Sequence, residues 1–244
     1  MDYALDFLDR ALPDLKLVLM LAPPALIYAM AGGMFSGWLR VNKQVQTAYT
    51  RKIFHFFIFT MAGILHLTLG LPAVVVFGSC VSLCVLYAVY KGKGYPFYEA
   101  MARPKDEPHR TFFILIPMLT TLLGGVLANV FFPAYAYVGY FVGGWGDAIA
   151  EPVGARWGRH RYRVPSLMGV PATRSLEGSL SVFLAGAIVG IAALYAGGVP
   201  FSRAAFVGVA CGLAGTLVEA VSSHGLDNLT IQVAAAGTAA FFLI

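Results

Sequence analysis

Runs of mostly apolar residues follow one another along nearly the whole chain, at 17–39, 53–69, 72–90, 111–129, 133–150, 179–197, 203–220 and 229–244. Most are close to the roughly 20 residues that an α-helix needs to cross a bilayer. They are continuous rather than alternating, which predicts helices and not the strands of a transmembrane barrel. The expected fold is all-α: a polytopic membrane helix bundle of about eight transmembrane helices, forming a single integral membrane domain over 1–244. Composition agrees, because 59% of residues are hydrophobic and only 12% charged, against about 25% charged in soluble domains. Pro23 and Pro24 interrupt the first run, and the last is short.

The net charge of +5 does not point to nucleic acid, since a basic binding face needs solvated surface that these runs do not leave. Cys80, Cys84 and Cys211 all fall within apolar runs and read as small buried hydrophobes. The N-terminus, with Asp2, Asp6, Asp9 and Asp14 against Arg10 and Lys16, is unlike a cleaved signal or transit peptide. Lysine and arginine concentrate in alternate connections, 40–52, 91–110 and 151–178, which hold fourteen of the 17. By the positive-inside rule these connections are cytoplasmic and both termini are not. The expectation is a multi-pass integral protein, of the cell membrane in a prokaryote.

In that topology the second, fourth, sixth and eighth spans begin at the cytoplasmic face, where free N–H groups and the positive end of the helix dipole attract anions. Beside those starts stand Arg51, Lys52 and His55; His109 and Arg110; Thr173 to Ser179; and Asp227 with Asn228. Phosphate suits this arrangement, although such cations also serve as topology anchors. Asp147 and Glu151 lie four apart on one helical stripe with Gly143, Gly154 and Gly158. Two carboxylates at a membrane boundary need a neutralising partner, and Mg²⁺ carried by a nucleotide is one, an arginine of the following loop another. Glu177 fits a helix start or a phosphate-clasping turn with Arg174 and Ser175. Glu219 sits where the dipole disfavours an anion, and Asp227 or Asn228 reads as a helix cap or as a member of a polar cluster with it. His66 and His160 have no partner pattern, and His55 is a candidate base or an interfacial histidine bonded to backbone.

The stretches RKIFH (51–55), GDAIAEPVGARWG (146–158), RSLEGS (174–179) and EAVSSHGLDNLT (219–230), in that order between apolar spans, resemble the polyprenol kinase family of dolichol kinases, phytol kinases and CTP-dependent diacylglycerol kinases. The resemblance runs from about residue 50 onward. It implies a multi-pass enzyme that phosphorylates a lipid alcohol, with CTP as donor and a divalent metal, Mg²⁺, as cofactor. Carried over by position, Arg51, Lys52, Asp147, Gly154, Ser175, Glu177, Gly178, Ser179, Glu219, Asp227 and Asn228 fall on motif residues. Arg174 stands where Lys is usual, Ala148 where phytol kinases tend to have Gly, and Glu177 where they tend to have Ala. The resemblance implies catalytic roles for Asp147, Arg51, Lys52 and Glu177. It implies metal binding by Asp147 and Glu177, with Glu151 a weaker candidate. Donor binding would fall to Gly154, Arg174, Ser175, Gly178, Ser179, Asp227 and Asn228.

Two other classes compete. A phosphatidate cytidylyltransferase would use the same nucleotide, but its Lys-Asp and Asp-Arg-x-Asp patterns are missing near the C-terminus. A transporter or lipid-binding scaffold would place ionisable groups near the bilayer midplane, whereas these motifs gather toward one face. No Walker-type loop or protein-kinase motif set is present, so the donor must be held by loops and helix ends.

Overall fold

The computed structural model describes residues 2–223 and 225–244. Ten α-helices and one β-hairpin make up its regular structure, apart from two short 3₁₀ turns: α1 (Asp2–Ala11), α2 (Leu15–Asn42), α3 (Thr47–Leu69), α4 (Leu71–Lys91), α5 (Pro96–Met101), α6 (Phe112–Phe131), α7 (Ala136–Trp157), β1 (Arg161–Leu167), β2 (Val170–Ser175), α8 (Leu176–Ala196), α9 (Phe201–Val221) and α10 (Asp227–Leu243). A helix stands at each of the eight expected spans. Among the described residues, six (α2, α3, α4, α6, α8 and α9) are long and apolar enough to cross a membrane, which fits a multi-pass membrane protein. The other two are α7, which carries Asp147, Glu151 and Arg156, and α10, whose 17 residues extend only about 26 Å.

Two local expectations are corrected. Pro23 and Pro24 do not break the first span: α2 runs through them for 28 residues, as a helix in lipid can, where no water competes for its remaining backbone hydrogen bonds. The 91–110 connection contains α5. The all-α expectation yields at 161–175, where an antiparallel hairpin forms.

The chain divides into two compact units, residues 1–115 and 116–244. In unit 1 the glycines of α2 admit α5 at close range: the Phe97 ring occupies the space beside Gly33, and a Cβ on Gly37 would overlap the Pro96 backbone. The Thr50 hydroxyl of α3 donates to the Ala100 carbonyl at 2.9 Å, tying that segment to the start of α3. Arg103 and Asp106 form a buried pair at 2.8 Å, and Arg110 reaches Glu99 at 2.7 Å.

Unit 2 carries most of the motif residues. Its α8 and α9 meet along glycines: a Cβ on Gly212 would stand 2.6 Å from the Ala187 nitrogen. Small residues that let backbones approach are the usual means of packing helices in lipid, where the hydrophobic effect between helices is weak. On α7, Gly139 and Gly143 face Gln232 of α10, while Gly146 faces Val182 of α8. The direction of these contacts brings the C-terminal ends of α7 and α9 and the N-terminal ends of α8 and α10 to the same end of the unit.

Candidate active site

At that end of unit 2, residues of α9, its C-terminal cap and α10 converge on Arg174 of the hairpin. Its guanidinium forms ion pairs with Glu219 of α9 through Nη1 and with Asp227 of α10 through Nη2, the latter at 3.0 Å. Nη2 and Nε also donate to the Ser222 carbonyl, at 3.2 and 3.4 Å. An arginine has five N–H bonds, so one hydrogen on Nη1 remains beyond these four contacts. Glu219 and Asp227 are buried, which accounts for an anion at the C-terminal end of α9: Arg174 offsets the unfavourable helix dipole. The three side chains together carry one net negative charge.

The second oxygen of Glu219 accepts from the Ser179 hydroxyl at 3.3 Å, and Tyr162 of β1 lies 2.9 Å from the same hydroxyl. Ser175 caps α8, its hydroxyl accepting from the Gly178 N–H at 3.1 Å. The same hydroxyl fills the space beside the α7 glycines, since a Cβ on Gly154 or Gly158 would stand 3.1 or 2.8 Å from it. The Gly154 and Gly158 stripe therefore admits the cap of α8. Of the two readings of Asp227, the structure bears out the polar cluster with Glu219 and not the cap of α10. Leu226 precedes the helix without a side-chain cap, and Asp227 Oδ1 accepts from the Asn228 N–H at 3.0 Å. Asn228 donates to the Thr121 hydroxyl of α6 at 2.9 Å and to the Pro117 carbonyl at 3.2 Å.

Asp147 is buried on α7, one turn past Gly143 on the stripe that faces α10, toward the end where Arg174 lies. Glu151 follows one turn later and is partly buried. Glu177 takes a different partner from those expected: His160 lies 2.7 Å from it through Nδ1, and the His160 N–H donates to both carboxylate oxygens at 3.3 Å. Arg51 and Lys52 belong to unit 1, in the first turns of α3, with Lys52 buried. His55, in the same helix, stacks on Phe59 with ring centroids 4.2 Å apart. Among the described residues no three His, Cys, Asp or Glu side chains form a ready metal cluster.

Sequence reading did not single out Tyr162, Ser222 or Thr121, and it gave His160 no partner. The alternation in RYRV and the Met168-Gly169 turn, with φ of 51° and 71°, carry the type I′ hairpin signal. Methionine at a left-handed position and prolines at 165 and 171 conceal that signal, because both run against strand and turn preference.

The 36% identity of this chain to the phytol kinase of a Synechocystis species, over 119 residues, adds independent weight to the motif pattern. It supports a relationship to the polyprenol and phytol kinases. The alignment covers 46% of this chain and 48% of the relative, so the chain spans about half the length of the curated relative it matches. No protein-family profile matches the chain, and no solved structure does.

Proposed function

We propose that this chain is a lipid-alcohol kinase of the membrane. It transfers the γ-phosphoryl group of a nucleoside triphosphate, CTP by the family resemblance, to the hydroxyl of a polyprenol, a phytol-like alcohol or diacylglycerol at the cytoplasmic face. The observation that carries this reading is the Arg174–Glu219–Asp227 cluster with its two buried carboxylates. It joins two motifs far apart in sequence at an end where two helix N-termini converge, and its three side chains carry one net negative charge. The kinship to a named phytol kinase supports the same reading.

A divalent cation fits this end of the unit. The excess negative charge of the cluster and the buried carboxylate of Asp147 favour a hard cation, and Mg²⁺ carried by a nucleotide needs only one or two protein carboxylates. Asp147 is the residue we assign to hold it, with Glu151 a turn away; Glu177, engaged by His160, fits less well. The cation would supply charge neutralisation on the donor phosphates. The chain's own residues position and neutralise: the remaining Nη1 hydrogen of Arg174 is available to a phosphate oxygen, and the N-terminal turns of α8 and α10 add favourable dipoles. For Arg51 and Lys52 of unit 1, the family resemblance supports a part in turnover. Phosphoryl transfer demands little beyond such positioning and charge stabilisation.

The test is incubation of the protein in lipid nanodiscs with Mg²⁺, γ-labelled CTP or ATP, and a panel of lipid alcohols. The expected products are a labelled lipid phosphate and CDP, with CTP used better than ATP at equal concentration. Asp147→Asn should lower turnover about a hundredfold or more, the scale of a lost electrostatic contact to the transition state. A preference for ATP would remove the donor assignment alone. Pyrophosphate with a CDP-lipid would replace the kinase by a cytidylyltransferase, and the absence of any labelled lipid would refute the reading.

A further inference from the structure

The hairpin does more than connect α7 to α8. Tyr162 and Arg174 are direct cross-strand partners in its ladder, so their side chains share a face. That face is turned inward: Tyr162, Val164, Ala172 and Arg174 are partly buried, while Arg161, Arg163, Pro171 and Thr173 are exposed. From this one rung, both residues act on Glu219. Arg174 pairs directly with one carboxylate oxygen, and Tyr162 reaches the other through the Ser179 hydroxyl.

The direction of the bonds follows from the donor inventory. A carboxylate only accepts, so the single Ser179 proton goes to Glu219; the proton between Tyr162 and Ser179 must then come from the phenol. The chain runs Tyr162 O–H to Ser179 O–H to the Glu219 carboxylate, whose far oxygen receives Arg174. Glu219 is nearly fully buried, at 2% exposure, so its orientation is decided by these two contacts and not by water.

We infer that Tyr162 is a positioning residue for the phosphoryl-transfer reaction: through Ser179 it fixes the Glu219 carboxylate, and thereby the Arg174 guanidinium, in the orientation that meets the donor phosphates. This role rests on the kinase reading above. Neither the motif pattern nor the kinship to a phytol kinase assigns Tyr162 any part.

Steady-state kinetics of Tyr162→Phe, Ser179→Ala and the double variant in nanodiscs, beside Val164→Ala as a control on the same hairpin face, tests it. Tyr162→Phe keeps the ring and removes only the hydroxyl. The expected result is a fall in kcat of about fivefold or more with donor KM within about twofold, the pattern of an interaction felt in the transition state. The double variant should be no worse than Ser179→Ala, because the tyrosine acts only through the serine. Val164→Ala should keep kcat. Turnover of Tyr162→Phe within twofold of wild type, multiplied losses in the double variant, or an equal loss in Val164→Ala would each overturn the role. A wild type that phosphorylates no lipid alcohol would overturn the kinase reading and this role with it. An active wild type with an unaffected Tyr162→Phe overturns this role alone.

Discussion

Glu219→Gln isolates the energy of the cluster at the end of unit 2. The substitution keeps the size of the side chain and removes its charge at a site only 2% exposed. Glutamine offers one oxygen and one NH₂, so it preserves acceptance from Arg174 only by turning its NH₂ to Ser179, whose oxygen already receives Tyr162. What is lost is the charge-assisted part of two contacts. Hydrogen bonds to charged groups contribute about 1.5–3 kcal/mol each, and stripping a buried charge of its partner costs about 3–5 kcal/mol. Arg174 retains Asp227 at 3.0 Å and the Ser222 carbonyl, which argues for the lower figure, about 2 kcal/mol. For a chain of this length that corresponds to a fall in Tm of about 4–8 °C. Thermal unfolding in one detergent, with Arg203→Gln at an exposed position as control, makes the measurement. The control should stay within about 0.5 kcal/mol of wild type, and Arg174→Gln combined with Glu219→Gln should cost less than the sum of the two. If Glu219→Gln melts with the control, the cluster does not hold α9 to the hairpin and the argument from buried charge is wrong.

Gly212→Leu should prevent α8 and α9 from closing, because even its Cβ would lie 2.6 Å from the Ala187 nitrogen and 2.9 Å from the Phe183 carbonyl. The expected cost exceeds the 1–3 kcal/mol or so of ordinary overpacking, whereas Gly78→Ala, with nothing within 4 Å of its Cβ, should be neutral or stabilising; equal Tm values for the two variants would refute the packing account. In unit 1, burial pushes the Glu99 carboxyl up, but the Gly94 N–H and the Arg110 guanidinium outweigh it and hold its pKa below the ordinary value. A lowered folded-state pKa stabilises above the unfolded value of about 4.3 and loses that contribution as pH falls through the folded value. Glu99→Gln should therefore lower Tm at pH 7 and flatten its decline on the acid side, and a pH profile parallel to wild type would refute the assignment.

Helix placement was legible because spanning a bilayer forces backbone groups to be satisfied within each helix, and that demand writes itself as runs of apolar residues. All eight expected runs became helices, and four candidate residues of the 174–179 and 219–228 motifs, Arg174, Ser179, Glu219 and Asp227, meet as a cluster. The hairpin was not legible, since Met168, Pro165 and Pro171 run against the local rules that announce one. Nor was the choice of partners. Sequence spacing showed that Glu219 sat at an unfavourable helix end, but only the packing of α8 on α9 and the register of β1 on β2 determined that Arg174 neutralises it and that Tyr162 backs the second oxygen. Glycine at 154 and 158 told that something must approach α7, and the tertiary structure decided that it is the Ser175 cap. Local periodicity reports a demand that each segment must meet by itself, while charge pairing depends on distances between segments that no single segment encodes.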